Sequence, residues 1–274
     1  MKIEAICTDI DGTLLDKTRE ISPRTKAAIR SLPRDFPIIL ASSRMPSAMR
    51  HLLRDLDREN HPLICYNGGF VLGPSGSEEA TDILDSKEIP IQICKQILSL
   101  SVSTGIHVGL YTHDEWHAPQ YDFWTKKEET ATKVSASILP GNQVLELWEK
   151  QQKGAHKIMC MGKAGKISHL YQELANTFAD QLHLYRSKDT YIEIAPKQVS
   201  KATALSLLLH QHYQIPMENV MAFGDNFNDV DLIQSVGFGV AVGNAKKEVK
   251  DVAKALTAKN TENGVAMMIE KYLI

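Results

Sequence analysis

Two carboxylates two residues apart, Asp9 and Asp11, follow the mostly apolar run Ile3-Glu4-Ala5-Ile6-Cys7-Thr8 and precede Gly12, Thr13 and Leu14. A short apolar run closed by turn residues reads as a buried strand. The acids then arrive at a strand tip, where open parallel sheets bind ligands. Residues two apart in an extended chain share a side, so Asp9 and Asp11 can approach one ligand while Ile10 packs away from it. Two such carboxylates repel unless a cation lies nearby. The bland alternative is an Asx-turn or a helix cap.

The pattern of a strand ending in polar residues recurs. Phe36–Ala41 runs into Ser42, Ser43 and Arg44. The helix expected from about Pro46 to Leu56 points its N-terminal amides at the same place, which favours an anion, and ordinary capping by a serine is compatible with that role. Pro62–Tyr66 ends at Asn67-Gly68-Gly69, which reads both as a hairpin turn and as backbone that can come close to a ligand. Lys201 falls in the first turn of a helix opening at Ser200. A cation is unfavourable there unless a carboxylate or phosphate sits opposite. Val220–Phe223 leads into Gly224-Asp225-Asn226-Phe227-Asn228-Asp229, a loop whose oxygen donors suit a hard cation and whose acidic residues equally suit a helix start.

These tips need strands and helices in alternation to hold them. Ser22-Pro23 opens a helix toward Leu32, Gly237–Val242 gives a late strand ending at Gly243-Asn244-Ala245, and a last helix starts near Gly264. Such alternation predicts an α/β fold with a doubly wound parallel sheet. Between about 85 and 188 the texture changes to shorter, more aromatic elements. Helical patterns lie near 89–103, 120–135 and 164–179, and strand-like pieces at 106–111, 155–161 and 182–185. This predicts a separate α+β unit inserted into a core made of 1–84 and 189–274, with the strand Tyr191–Pro196 in the core. Trp116, His117, Tyr121 and Trp124 in the insert read as ligand-facing material or as its aromatic core.

At 274 residues and 43% hydrophobic, the chain can bury two modest cores. A net charge of -2 and a pI near 6.6 supply no global basic field for nucleic acid. No stretch of about 18 apolar residues predicts a membrane span, and the acidic N-terminal run does not resemble a signal peptide. A cytoplasmic protein is expected. Cys7, Cys65, Cys94 and Cys160 lack CxxC spacing and read as reduced core residues.

The ordered set Asp9-Ile10-Asp11-Gly12-Thr13, Ser42, Lys201 and Gly224-Asp225-x-x-Asn228-Asp229 resembles the four signatures of the haloacid dehalogenase superfamily of phosphohydrolases. The insert, with Asn67-Gly68-Gly69, Gly243-Asn244-Ala245 and Asn263-Gly264-Val265 around it, is similar to the Cof-type branch, which carries a large α/β cap. The branch usually has Thr-Gly-Arg where this chain has Ser42-Ser43-Arg44, and often glycine where it has Ala202.

The resemblance implies Asp9 as nucleophile and Asp11 as acid and then base. It implies magnesium held by Asp9, Asp225 and the main-chain carbonyl of Asp11. Phosphate would be held by the amide of Ile10 with Ser42, Ser43, Lys201 and Asn228. Asp229 would orient Lys201 or a metal-bound water, and Arg44, Asn67 and Gly68 would reach substrate. The implied substrate is a small phosphorylated metabolite, either a sugar phosphate or a phosphorylated cofactor such as pyridoxal phosphate or flavin mononucleotide, handled by a monomer or homodimer. A phosphosugar mutase and a non-catalytic phospholigand-binding regulator are the rival readings.

Overall fold

The computed structural model describes residues 2–75, 82–186 and 188–274. In chain order the first part comprises β1 (Ala5–Thr8), α1 (Pro23–Arg30), β2 (Ile38–Ala41), α2 (Ser47–Asp55), β3 (Leu63–Cys65), β4 (Phe70–Leu72) and β5 (Ile83–Ser86). There follow α3 (Ile91–Val102), β6 (His107–Thr112), β7 (Glu115–Ala118), α4 (Phe123–Thr132), β8 (Ser137–Ile138), α5 (Gly141–Lys150), β9 (Lys157–Met161), α6 (Ala164–Phe178), β10 (Leu182–Tyr185) and β11 (Tyr191–Pro196). The last part holds α7 (Lys201–Leu208), β12 (Val220–Gly224), α8 (Val230–Ser235), β13 (Phe238–Ala241), α9 (Lys247–Val252), β14 (Ala255–Leu256) and α10 (Gly264–Tyr272). The chain forms two compact units. Unit 1 is Met1–Arg44, Met49–Asp85 and Ser200–Ile274; unit 2 is Met45–Ala48 and Ser86–Val199.

The sheet of unit 1 runs β14-β13-β12-β1-β2-β3-β4-β5. It is parallel from β14 to β3 and turns antiparallel at β4. Its strands are near-continuous apolar runs because both faces are covered. Ala5, Cys7, Ile39, Ala41 and Ala222 pack on one face with Leu205 and Leu208 of α7, Leu232 and Ile233 of α8 and Val249 of α9. The alternate residues Ile6, Ile38, Leu40, Met221 and Phe223 turn to the other face and are fully buried. Each such large side chain contributes roughly 1.5–3 kcal/mol on burial. The chain leaves β1 for β2 on one side and returns much later to β12 on the other. This is a topological switch point, and the tips of β1, β2 and β12 all end there.

Unit 2 is built on a six-stranded sheet of order β10-β11-β9-β6-β7-β8, antiparallel except between β7 and β8. Ile106, Val108, Leu110, Ile158, Ile192 and Ile194 face α3, α5 and α6 through Ile97, Trp148 and Leu170. This unit departs from the sequence reading at its C-terminal bound, at helix α5 and at the short strands β7 and β8. Tyr191–Pro196 pairs with β9 and β10, so this unit extends to Val199 and not 188; alternation marks a strand but does not name its partner. Helix α5 was also not anticipated, because it opens on Pro140-Gly141-Asn142, a turn signature. Among the described residues no helix is long and apolar enough to cross a membrane.

Candidate active site

The loop after β1 begins at Asp9, which is extended (φ -64°, ψ 161°), and then makes one wide turn over Ile10–Leu14, closed by the Leu15 amide donating to the Ile10 carbonyl at 3.0 Å. Inside that turn Gly12 has φ +90°, and a β-carbon there would meet Asp225 Oδ2 at 2.5 Å. Only glycine fits such a position, by conformation and by space. The turn carries Asp11 off the line of the strand, and Gly12 within it lies close to Asp225. Thr13 Oγ1 donates to Asp225 Oδ1 at 3.0 Å, and Asn244 Nδ2 donates to the Gly12 carbonyl at 2.7 Å.

Lys201 is the centre of charge. Its side chain is fully buried, and Nζ donates to Asp9 Oδ1 at 2.6 Å and to Asp229 Oδ1 at 2.7 Å. Burial alone would lower its pKa, but the carboxylates of Asp229 and Asp9 outweigh that and raise it, so the ammonium is permanent. The other oxygen of Asp229 accepts the amides of Asp225 at 2.9 Å and Asn226 at 3.0 Å. This meets the electrostatic condition for a cation in the first turn of α7. The helix itself starts because Ser200 accepts the Thr203 amide as its N-cap.

Carboxylate oxygens of Asp9, Asp225 and Asp229 lie within 4.8 Å of one another. Burial first, and then the neighbouring acids, raise Asp9 above the ordinary carboxylate range against the pull of Lys201. Burial and Asp229 likewise push Asp225 up to about 6. Both groups therefore gain from a hard cation. Asp229, with one oxygen on Lys201 and the other on two amides, is committed elsewhere. The oxygen-only donor set of Asp9 and Asp225 fits magnesium.

Asp11 points into a different environment. Arg44 grips it with Nε on Oδ2 at 2.7 Å and Nη2 on Oδ1 at 2.8 Å, and Arg19 adds a contact at 3.3 Å. Partial burial is overcome by Arg44, and the carboxyl is held below its ordinary range. Arg44, expected to reach substrate, is thus engaged with Asp11.

At the tip of β2, Ser42 is buried and its Oγ accepts the Arg44 amide at 3.3 Å, while Ser43 is half-buried. The Asn67 amide donates to the Ser42 carbonyl at 2.9 Å, and Asn228 Nδ2 donates to Asn67 Oδ1 at 2.9 Å. Asn67 is left-handed (φ 58°), and Gly68 (φ +102°) passes so close to Ser200 that a β-carbon would collide with its carbonyl. The hairpin reading of Asn67-Gly68-Gly69 holds, since β3 and β4 pair antiparallel across this turn. Thr13, Arg19 and Asn244 were not anticipated as site residues. Thr13 and Asn244 lie inside strings already singled out; nothing in the sequence marks Arg19.

The aromatic group of unit 2 divides. Trp116 is 3% exposed and stacks on Tyr111, whereas Tyr121 is 62% exposed. A second set of ligand-type atoms, on Glu88, His113 and His156, also lies within 4.8 Å. There His156 Nδ1 accepts the His113 amide at 3.0 Å, so Nε2 carries the ring proton, facing Ser86 Oγ at 3.0 Å. A ring used in that way has no lone pair for a metal.

Residues 6–269 match the family model of haloacid dehalogenase-like hydrolases. A Haemophilus influenzae protein is 30% identical over 273 residues, covering 99% of this chain and 98% of its own. The pyridoxal phosphate phosphatase of Escherichia coli K12 is 26% identical over 289 residues, with both chains fully covered. The crystal structure of a haloacid dehalogenase-like hydrolase from Bacteroides thetaiotaomicron superposes with a TM-score of 0.87 at 26% identity, covering 98% of this chain and 99% of that one. With its lysine-bridged acids at the switch point of a parallel sheet, the chain belongs to the haloacid dehalogenase-like hydrolases, as a phosphatase of the Cof-type branch.

Proposed function

We propose that the protein hydrolyses phosphate monoesters of small metabolites with magnesium, through a phosphoryl group carried on Asp9. The observation that carries this reading is the buried Lys201 bridging Asp9 and Asp229, with carboxylate oxygens of Asp9, Asp225 and Asp229 within 4.8 Å of one another. Asp9 attacks phosphorus, and the ester oxygen departs with a proton from Asp11. Asp11 then takes a proton from water, whose oxygen displaces Asp9 and releases inorganic phosphate. Splitting the reaction in this way replaces one difficult step by two easier ones. Lys201 Nζ, Ser42, Ser43, Asn228 and the Ile10 amide hold the phosphoryl oxygens, stabilising charge as it shifts. Asp9, Asp225 and the main-chain carbonyl of Asp11 would hold magnesium, which would supply positive charge where the carboxylate nucleophile meets the phosphate.

The grip of Arg44 keeps Asp11 ionised, the form needed to draw a proton from water. Loosening of that grip lets it arrive protonated for the first step. Asn67 and Gly68 line the approach for substrate. The Escherichia coli relative named for pyridoxal phosphate supports a phosphorylated cofactor as substrate, beside a sugar phosphate. Release of phosphate from para-nitrophenyl phosphate with magnesium tests the chemistry. Asp9→Asn lowers it by on the order of 1,000-fold or more; turnover unchanged in that variant would remove Asp9 as nucleophile.

A further inference from the structure

Residues 242–246 follow β13, and residues 257–260 follow β14. The two loops run backbone against backbone. The Gly243 amide donates to the Ala258 carbonyl at 3.1 Å, and a β-carbon on Gly243 would stand 2.9 Å from the Lys259 nitrogen, so the approach needs a residue without a side chain. This contact seats Asn260 beside Asn244, whose Oδ1 accepts the Asn260 amide at 3.0 Å. An amide N–H only donates, and so that bond fixes which way the Asn244 side chain faces. Its Nδ2 donates to the Gly12 carbonyl at 2.7 Å, and Asn260 Nδ2 donates to the Leu15 carbonyl at 2.7 Å.

These bonds grip both parts of the acidic site. Gly12 lies within the turn that presents Asp11, and Leu15 closes it. On the other side, the Lys246 amide donates to the Asp225 carbonyl at 2.8 Å and the Val242 amide to the Gly224 carbonyl at 3.3 Å. The loop after β13 thus spans the two segments, and Asn244 is its link to the turn. The link calls for one donor and one acceptor on a short side chain, which asparagine has. Aspartate lacks the donor, and alanine lacks both.

We infer that Asn244, oriented by Asn260, is a positioning residue for the metal site: by tying the Asp11 turn to the Asp225 segment it sets how tightly the site holds magnesium. The inference rests on the phosphatase reading, in which Asp9, Asp225 and the Asp11 carbonyl would hold the ion. Asn244 is exposed and Asn260 half-buried, so alanine at either position leaves the core intact. Asn263 supplies the comparison. It lies three residues beyond Asn260, but its Oδ1 accepts Ser22 Oγ at 2.6 Å, at the N-cap of α1. Its φ is 62°, which glycine adopts without strain.

Titration calorimetry with magnesium chloride on the full chain, without substrate, reads the affinity directly. Asn244→Ala is expected to raise the magnesium Kd about fivefold, as for one lost hydrogen bond, and Asn260→Ala to raise it in the same direction. Asn263→Gly is expected to lower the thermal midpoint measured in EDTA while magnesium Kd and turnover of para-nitrophenyl phosphate stay as in the wild type. Two results would overturn the positioning role while a wild type that releases phosphate with magnesium keeps the phosphatase reading. One is a wild-type Kd in Asn244→Ala, whatever its thermal midpoint; the other is an equal rise of Kd in Asn263→Gly, which would make the effect a general loosening. A wild-type chain that takes up no magnesium and releases no phosphate would overturn the phosphatase reading and this role together.

Discussion

Lys201 shows how one buried cation organises three acids. Replacing it by methionine keeps the shape and removes the charge, leaving Asp9 and Asp229 without the ammonium between them. Breaking one side of a buried ion network costs about 3–5 kcal/mol, and Lys201→Met is expected to lose stability of that order in urea denaturation. Asp11 is expected to respond in the opposite direction from Asp9. Its carboxyl lies low because Arg44 outweighs its partial burial, so Arg44→Gln raises its pKa. The pH–rate profile for phosphate release then moves to higher pH, because Asp11 holds the proton it must deliver over a wider range. A profile that stays in place would separate Arg44 from the proton transfer.

The elements put these residues together by ending in the same place. Strands β1, β2 and β12 are adjacent and parallel, and their C-terminal tips supply Asp9, Ser42 and Asp225 from positions far apart in sequence. This was legible beforehand, because each tip is an apolar run that stops at polar residues, and because Pro23, Ser200 and Gly264 mark where helices start. Orientation within the tips was not legible. The pairing of Arg44 with Asp11 depends on side-chain directions after two separate strands, and Asn244 reaches the Gly12 carbonyl only through the order in which strands assemble. Gly12 is where the local and the assembled requirement meet. Gly12→Ala imposes about 1–2 kcal/mol of backbone strain at positive φ and drives a methyl into Asp225. The expected result is a rise of at least about tenfold in the magnesium concentration for half-maximal activity, with far-ultraviolet circular dichroism unchanged.

At the scale of the molecule, each of the two units has its own sheet and core. The change of texture near residue 85 was visible in sequence. The return at Val199 was not, because Tyr191–Pro196 would suit either sheet and only pairing decides. All three tryptophans, Trp116, Trp124 and Trp148, belong to unit 2, so intrinsic fluorescence follows that unit alone. Burial, reinforced by His113, drives His156 down to about 3. The folded protein keeps this imidazole neutral where the unfolded chain, with a pKa near 6.5, would protonate it. Its contribution is therefore intact above pH 6.5 and falls by about 1.4 kcal/mol per unit as the pH drops from 6.5 toward 3. Urea midpoints followed by tryptophan emission should decline across that window, and His156→Asn should flatten the decline.

None of the four cysteines forms a disulfide and all are buried, with the thiols of Cys7, Cys94 and Cys160 pushed up to about 12. Alkylating reagents act on thiolates they can touch, and a native molecule offers them none. Cys7 and Cys65 belong to one unit, and Cys94 and Cys160 to the other. Slow labelling by iodoacetamide, located by mass spectrometry of the digested chain, thus turns these silent side chains into two clocks, each timing how often its own half of the protein comes apart.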